Sequence, residues 1–365
     1  MDSCADRARK QKNKEQKVTS RRLGPPGRRV LLIKLPGNMT SMPTVACKHA
    51  QVQPLMNFRG KVNMESFCLR RDKVVFVVGA TGTGKSRLAI DLAERFRGEV
   101  VNSDKIQVYK GLDIVTNKVT EEECRGVPHH LLGVMAPDSE FTPVDFRHHA
   151  LATIESILAR GQLPIITGGS NSFIDALVNG GPEVQLRYDC CFFWIDVSMP
   201  LLHSFVSRRV DRMVEAGMVD EVRSLYRPGA DNSKGIRRAI GVSEMEPYLC
   251  SENTADDRTR TKLLEEAVER IKANTCALAC RQLEKIERLW SNWDGEMNRI
   301  DATEAFLKEG KEADEAWERL VAGPCTIALS KFLYGQDPTS HDLSIVKPIS
   351  VSIPFIVLAA GAARI

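Results

Sequence analysis

The chain has 365 residues, 43% hydrophobic and 27% charged, with 25 Gly and 17 Pro, a globular composition that excludes collagenous, coiled-coil and wholly disordered readings. The net charge of +4 is unevenly spread: residues 1–72 carry 16 Lys and Arg against 5 Asp and Glu, the rest 35 against 42. A body of net −7 makes a poor nucleic-acid surface, so no nucleic-acid partner is expected.

Residues 1–72 hold many breakers (Gly24-Pro25-Pro26-Gly27, Pro36-Gly37, Pro43, Pro54) and few periodic apolar positions. We read them as a basic disordered leader. From about Met39 it is poor in acids and scattered with Ser, Thr, Arg and Lys, as organelle transit peptides are, although Asp2, Asp6 and the Lys-rich run fit such a peptide badly. The ten cysteines show no C-x-x-C spacing and no nearby paired histidines. This argues against zinc and for free thiols in a reducing compartment.

The folded body opens at Lys73. Val74-Val75-Phe76-Val77-Val78 is a short run ending at Gly79, as a buried parallel strand requires. A helix with Leu88, Leu92 and Phe96 on one face follows, with Gly98 as its stop. A second strand, Glu99-Val100-Val101, ends at Asn102-Ser103-Asp104. Thr142-Pro143 caps a helix carrying Leu151, Ile154 and Leu158 to Gly161. A third strand, Pro164-Ile165-Ile166, runs into Thr167-Gly168-Gly169, and a fourth, Cys191 to Ile195, ends at Asp196. Strand alternating with helix predicts an α/β fold: a P-loop NTPase-like parallel sheet with helices on both faces. The periodicity then turns helical at roughly 201–216, 218–226 and 258–290. The predicted organisation is therefore a core over 73–200, a helical subdomain completing the cleft over 201–330, and a divergent tail over 331–365. In that tail Ile349–Ala363 is apolar but broken by Pro354, short of the ~20 residues of a membrane span, so no membrane partner is expected.

Gly79-Ala80-Thr81-Gly82-Thr83-Gly84-Lys85-Ser86 satisfies G-x-x-x-x-G-K-[ST] between a buried strand and an amphipathic helix. The glycines let backbone N–H groups turn around an oxyanion, the helix N-terminus adds positive potential, Lys85 brings a mobile charge, and Ser86 is a candidate Mg²⁺ ligand. The motif fixes a phosphate site without naming the phosphate's owner. Ligands of parallel sheets bind beyond the strands' carboxyl ends, which puts Asp104 and the Gly168–Ser172 loop across the cleft. Asp104 is there either a proton acceptor or a capping and ion-pairing residue, and Asp196 either a magnesium ligand or an ordinary strand end. His129-His130 and His148-His149 read as loop and helix-surface residues with no metal role. The run Lys234 to Arg238 is either a solvated face or a second anion site.

Gly79–Ser86, Asn102–Lys118, Val127–Gly133, Thr167–Ser172, Arg237–Gly241 and Ala279–Gln282 together resemble an isopentenyltransferase, most closely the plant adenylate isopentenyltransferases that begin cytokinin synthesis. The resemblance spans roughly 73–330 in consistent order. It implies a prenyltransferase: N6 of ADP or ATP (or AMP) attacks C1 of dimethylallyl diphosphate, with Mg²⁺, and diphosphate leaves. It further implies that the P-loop cradles the donor's diphosphate, that Asp104 accepts the N6 proton, and that Thr81 sits near the bridging oxygen. Lys85 and Ser86 then contact diphosphate and magnesium, Arg238 (with its neighbour Arg237) a phosphate, and Thr167 and Ser170 either substrate. Plant members commonly carry Lys-Lys where this chain has Arg237-Arg238, which bears on nucleotide preference. A plastid location is implied, ahead of cytoplasm or mitochondrion. A tRNA-modifying isopentenyltransferase shares these motifs, but the span Gly180–Cys190 is too short for its tRNA-gripping insertion, and the C-terminal region lacks zinc-finger spacing. The P-loop taken alone would also suit a small-molecule kinase or a non-catalytic nucleotide-binding module.

Overall fold

The computed structural model describes residues 71–291 and 297–335. The leader up to residue 70 and the tail from residue 336, including the apolar run at Ile349–Ala363, lie outside the described residues. Among the described residues, six parallel strands form one sheet in the order β3-β2-β4-β1-β5-β6. The four expected strands are β1 (Asp72–Val78), β2 (Gly98–Asn102), β4 (Leu163–Thr167) and β5 (Tyr188–Asp196). Two more were not legible. β3 is only the pair His129–His130, and β6 (Met297–Asp301) is an edge strand of mixed polarity beyond the longest helix, inside the stretch expected to be helical.

Alternation along each strand builds two cores. Val74, Phe76 and Val78 of β1 with Phe192 and Trp194 of β5 face one apolar cluster, while Val75, Val77, Cys191, Phe193 and Ile195 face the other. Each of these side chains, when fully buried, contributes about 1.5–3 kcal/mol relative to exposure. The first face is covered by α2 (Pro143–Ala159) and α3 (Asn171–Asn179), through Phe146, Ala150, Ile154, Ile157, Phe173, Ile174 and Leu177. Thr142 caps α2 as expected, in a reciprocal capping box with Asp145. Of the three apolar residues expected on its buried face only Ile154 is fully buried; Leu151 and Leu158 flank the stripe.

The opposite face is covered by α1 (Lys85–Phe96) through Leu88, Ala89 and Leu92. Its stop is Arg97, in the left-handed conformation at φ 52°, rather than Gly98, which opens β2. After the short α4 (Pro182–Arg187) come α5 (Met199–Glu215), α6 (Met218–Leu225) and the 35-residue α8 (Asp257–Ser291), close to the expected bounds, with α7 (Val242–Ser251), which was not expected, between α6 and α8. α8 packs on α5 and α7. Beyond β6, α9 (Thr303–Phe306), α10 (Gly310–Trp317) and α11 (Gly323–Tyr334) return to the α1 face through Trp317, Val321, Cys325 and Leu329. Among the described residues no helix is long and apolar enough to cross a membrane.

The buried carboxylate of Glu99 on β2 accepts from Arg160 (2.7 Å) and from the imidazole of His130 (2.6 Å), and the Arg160 hydrogen bond holds it below the usual carboxylate range. Of the two histidines expected in a loop, His130 thus ties the edge strand β3 to β2 through its side chain, while the His129 ring turns back to the Val127 carbonyl (2.8 Å). Because β4 lies between β1 and β2, the loops after these three strands stand side by side at one end of the sheet.

Candidate active site

Those loops open into a cleft of about 1800 Å³ that is also lined by residues of α5, α8 and the α9–α10 segment. The P-loop divides into a rear and a front. At the rear, the Ala80 carbonyl accepts from the Thr83 hydroxyl (3.0 Å) and from Lys85 Nζ (2.7 Å), and Gly79, Ala80 and Thr83 do not reach the cavity. At the front, Thr81, Gly82, Gly84, Lys85 and Ser86 line it. Enclosure pushes the Lys85 ammonium down to about 8; the Asp104 charge opposes the fall and Arg209 adds to it.

Arg209, on α5, was not singled out from the sequence. Its Nη2 donates to Thr81 Oγ1 (3.0 Å), its Nε is buried without a partner, and burial pulls its guanidinium down to about 10. A half-buried cation with an unused donor beside a P-loop has the chemistry of an anion contact. No local signal marks it: Arg208, Arg209 and Arg212 are interleaved with Asp211 and Glu215, as on an ordinary solvent-facing helix.

Gln282, within the Ala279–Gln282 motif, joins the loops. Its Oε1 accepts from the Thr81 N–H (2.7 Å) and its Nε2 donates to the Gly169 carbonyl (2.8 Å), while Asn171 Nδ2 reaches the Gln282 carbonyl (2.9 Å). Gly168 is required by close approach: a Cβ there meets the backbone of Ser103 and Asp104 at 2.5–2.6 Å. Asp104 lines the cavity. Its Oδ1 accepts from the Ile106 N–H (2.8 Å), and its Oδ2 lies beside Gly169. Asn102 braces the turn, accepting from the Asp104 N–H (3.1 Å) and donating to the Leu131 carbonyl (2.9 Å). Thr167 lines the cavity with its hydroxyl turned to the Val77 carbonyl (3.3 Å). Ser170 does not line it; its hydroxyl accepts from the Lys105 N–H (2.8 Å), so it shapes the Asp104 loop from behind.

A second group of cations stands past Asp104. Lys105, Arg238 and Arg281 line the cavity, all exposed to it. Burial first, then Arg238, lowers the Lys105 ammonium. Arg238 donates to the Tyr109 hydroxyl (3.3 Å), which fixes its arm. Its neighbour Arg237 turns away, to the Leu225 carbonyl (3.1 Å) and toward Asp138 (3.6 Å), and does not line the cavity. One-residue offset on a tight helical turn separates the two side chains, so the pair expected to share a phosphate role is split. Asp196, weighed as a magnesium ligand, is engaged by Arg299 of β6 (2.5 Å) and lies off the cavity lining.

The family model described as "IPP transferase" matches residues 107–186 and 181–288. Adenylate isopentenyltransferase 5, chloroplastic, of Arabidopsis thaliana is 55% identical over 325 residues, covering 88% of this chain and 98% of that one. Adenylate isopentenyltransferase 7, mitochondrial, of the same plant is 55% identical over 300 residues, covering 80% and 91%. The adenylate isopentenyltransferase of Humulus lupulus is 45% identical over 295 residues, covering 70% and 89%. Among solved structures, the full-length tRNA isopentenylpyrophosphate transferase of Bacillus halodurans superposes with a TM-score of 0.56 at 26% identity, over 73% of this chain and all of that one.

Proposed function

Since this chain belongs to the IPP transferase family, among the adenylate isopentenyltransferases, we propose that it transfers the dimethylallyl group of dimethylallyl diphosphate to N6 of ADP or ATP. The observation that carries this reading is the pairing, in one cavity, of an enclosed cationic loop with a backbone-held carboxylate: Lys85 and Arg209 on one side, Asp104 on the other. In the transfer, the N6–C1 bond forms and the C1–O bond breaks. Diphosphate leaves with the electron pair, and the N6 proton passes to Asp104.

Each partner answers a physical need. Charge develops on the departing diphosphate, and preorganised donors facing it stabilise the transition state: the P-loop N–H groups, Thr81, Lys85 and Arg209. The exocyclic amine is a poor nucleophile because its lone pair is delocalised, and a carboxylate accepting N6–H turns that lone pair toward C1. Lys105, Arg238 and Arg281 are the seat for the nucleotide's own phosphates. Thr167 and Ser170 keep the loops in register, and Gln282 couples the P-loop to the glycine loop. Mg²⁺ takes oxygen ligands and commonly keeps one or two from protein, with water and substrate phosphates for the rest. The Ser86 hydroxyl on the cavity wall, with no three-residue acidic or histidine cluster among the described residues, fits an ion held mainly by the donor's diphosphate. Such an ion would neutralise part of the leaving group's charge.

The short connection through α4 between α3 and β5, and the acidic body, favour a free nucleotide over tRNA as acceptor. The plastid is the proposed location, supported by the basic leader and by chloroplastic relatives. Mass analysis after mixing the protein with Mg²⁺, dimethylallyl diphosphate and each of AMP, ADP and ATP tests the reaction. A nucleotide heavier by one dimethylallyl group, its phosphates intact, is the expected product; transfer of the γ-phosphate to an acceptor would instead make the chain a kinase.

A further inference from the structure

The P-loop is also held from the α10 side of the cavity, by a wall residue that none of the motifs includes. Gly84, the last glycine of the loop, has φ +89° and caps α1. A Cβ at Gly84 meets Trp317 Cη2 at 2.6 Å and Cζ3 at 2.8 Å, so the six-membered edge of the indole lies against the loop backbone. The indole is only 3% exposed and is fixed at its other end: Nε1 donates to Asp91 Oδ2 (2.8 Å), whose Oδ1 accepts from Arg125 (2.5 Å). The Arg87 guanidinium lies 4.7 Å over the ring and pairs with Asp314 (2.8 Å), one turn before Trp317 on α10. Asp91 and Gly84 both belong to the P-loop and its helix. The indole therefore spans from the loop that aims the N–H groups to the helix that carries them.

We propose that Trp317 is a positioning residue for the diphosphate seat: it sets the turn at Gly84, and through it the direction of the loop N–H groups. The proposal rests on the reading that the donor's diphosphate occupies the P-loop. Preorganised donors lose their advantage when the frame behind them loosens, so the effect falls on diphosphate and not on the nucleotide's distant phosphates. The indole lies against the loop that would surround the anion, so a bound anion changes the charge beside the ring and makes its emission a reporter of occupancy.

The test uses the full chain and inorganic diphosphate as probe. Trp317→Phe keeps a ring against Gly84 but loses the donor to Asp91, and Trp317→Leu loses both. The dissociation constant for diphosphate is expected to rise about fivefold in the first and more than tenfold in the second, with ATP affinity changed less than twofold in each. Diphosphate is expected to change wild-type tryptophan emission, and the change to vanish in Trp317→Phe although the other three tryptophans remain. Should Trp317→Leu not fold, the Phe variant and the emission titration carry the test alone. A diphosphate affinity unchanged in folded Trp317→Phe, or parallel loss of diphosphate and ATP binding, overturns the proposal. Failure of the wild-type chain to bind diphosphate at all, or its displacement by ATP alone, overturns instead the reading on which it rests.

Discussion

The two cationic ends of the cavity differ in how they hold charge. At the P-loop, Lys85 and Arg209 are half-buried and enclosed, both pulled well below their ordinary titration ranges, and each already spends a donor on the protein. Past Asp104, Lys105, Arg238 and Arg281 stand exposed. Enclosed charge interacts strongly because little water screens it, whereas exposed charge is weakened by solvent and salt. The first arrangement suits a leaving group whose charge grows during the reaction; the second suits an anion that only has to be held. Asp104 lies at the seam between them.

The contrast breaks most severely at that seam. Asp104→Asn keeps the shape and an acceptor for the Ile106 N–H but removes the proton acceptor; kcat is expected to fall about 10²–10⁴-fold, with both ligands still bound by calorimetry. Next comes the enclosed end. Arg209→Met removes one preorganised donor, and kcat/KM for dimethylallyl diphosphate should drop about 10²–10³-fold, measured at saturating ATP. The enclosed end should also titrate. A lysine pulled down to about 8 carries its charge below that pH and loses it above, so kcat/KM for the donor should decline as pH climbs past 8 while nucleotide affinity holds level. A profile flat well above pH 8 would argue that Lys85 is not facing the donor.

The exposed end gives the smallest effects. Arg238→Ala should raise KM for ATP by about three- to tenfold, as loss of a partly screened charged hydrogen bond does, and the penalty should shrink in high salt. Arg237→Ala should leave KM within twofold, because its side chain is turned to Leu225 and Asp138. Equal effects at the two positions would erase the distinction that their single-residue offset creates.

Much of this was legible where the chemistry is contiguous in sequence. The P-loop announces itself because eight adjacent residues perform one task, and β1, β2, β4 and β5 because each carries a buried apolar run. Asp104 was findable as the residue that follows a core strand. What escaped is what the fold assembles from afar: Arg209 from α5 and Trp317 from α10, neither of which has a local pattern distinguishing it from an ordinary helical residue. β6 escaped because an edge strand with one partner needs no apolar alternation. Residues shared by several tasks misled in the other direction. Arg237 and Ser170 sit inside matching motifs, yet one faces a carbonyl on the far side and the other supports a backbone N–H.

The assignment of the two ends is tested most directly by titrating Lys85→Ala with each substrate separately. Affinity for dimethylallyl diphosphate is expected to fall at least tenfold, with ATP binding within twofold of the unaltered chain. Equal losses for both, or a larger loss for ATP, would put the nucleotide's phosphates in the P-loop and contradict the division of the cavity into a leaving-group end and a nucleotide end.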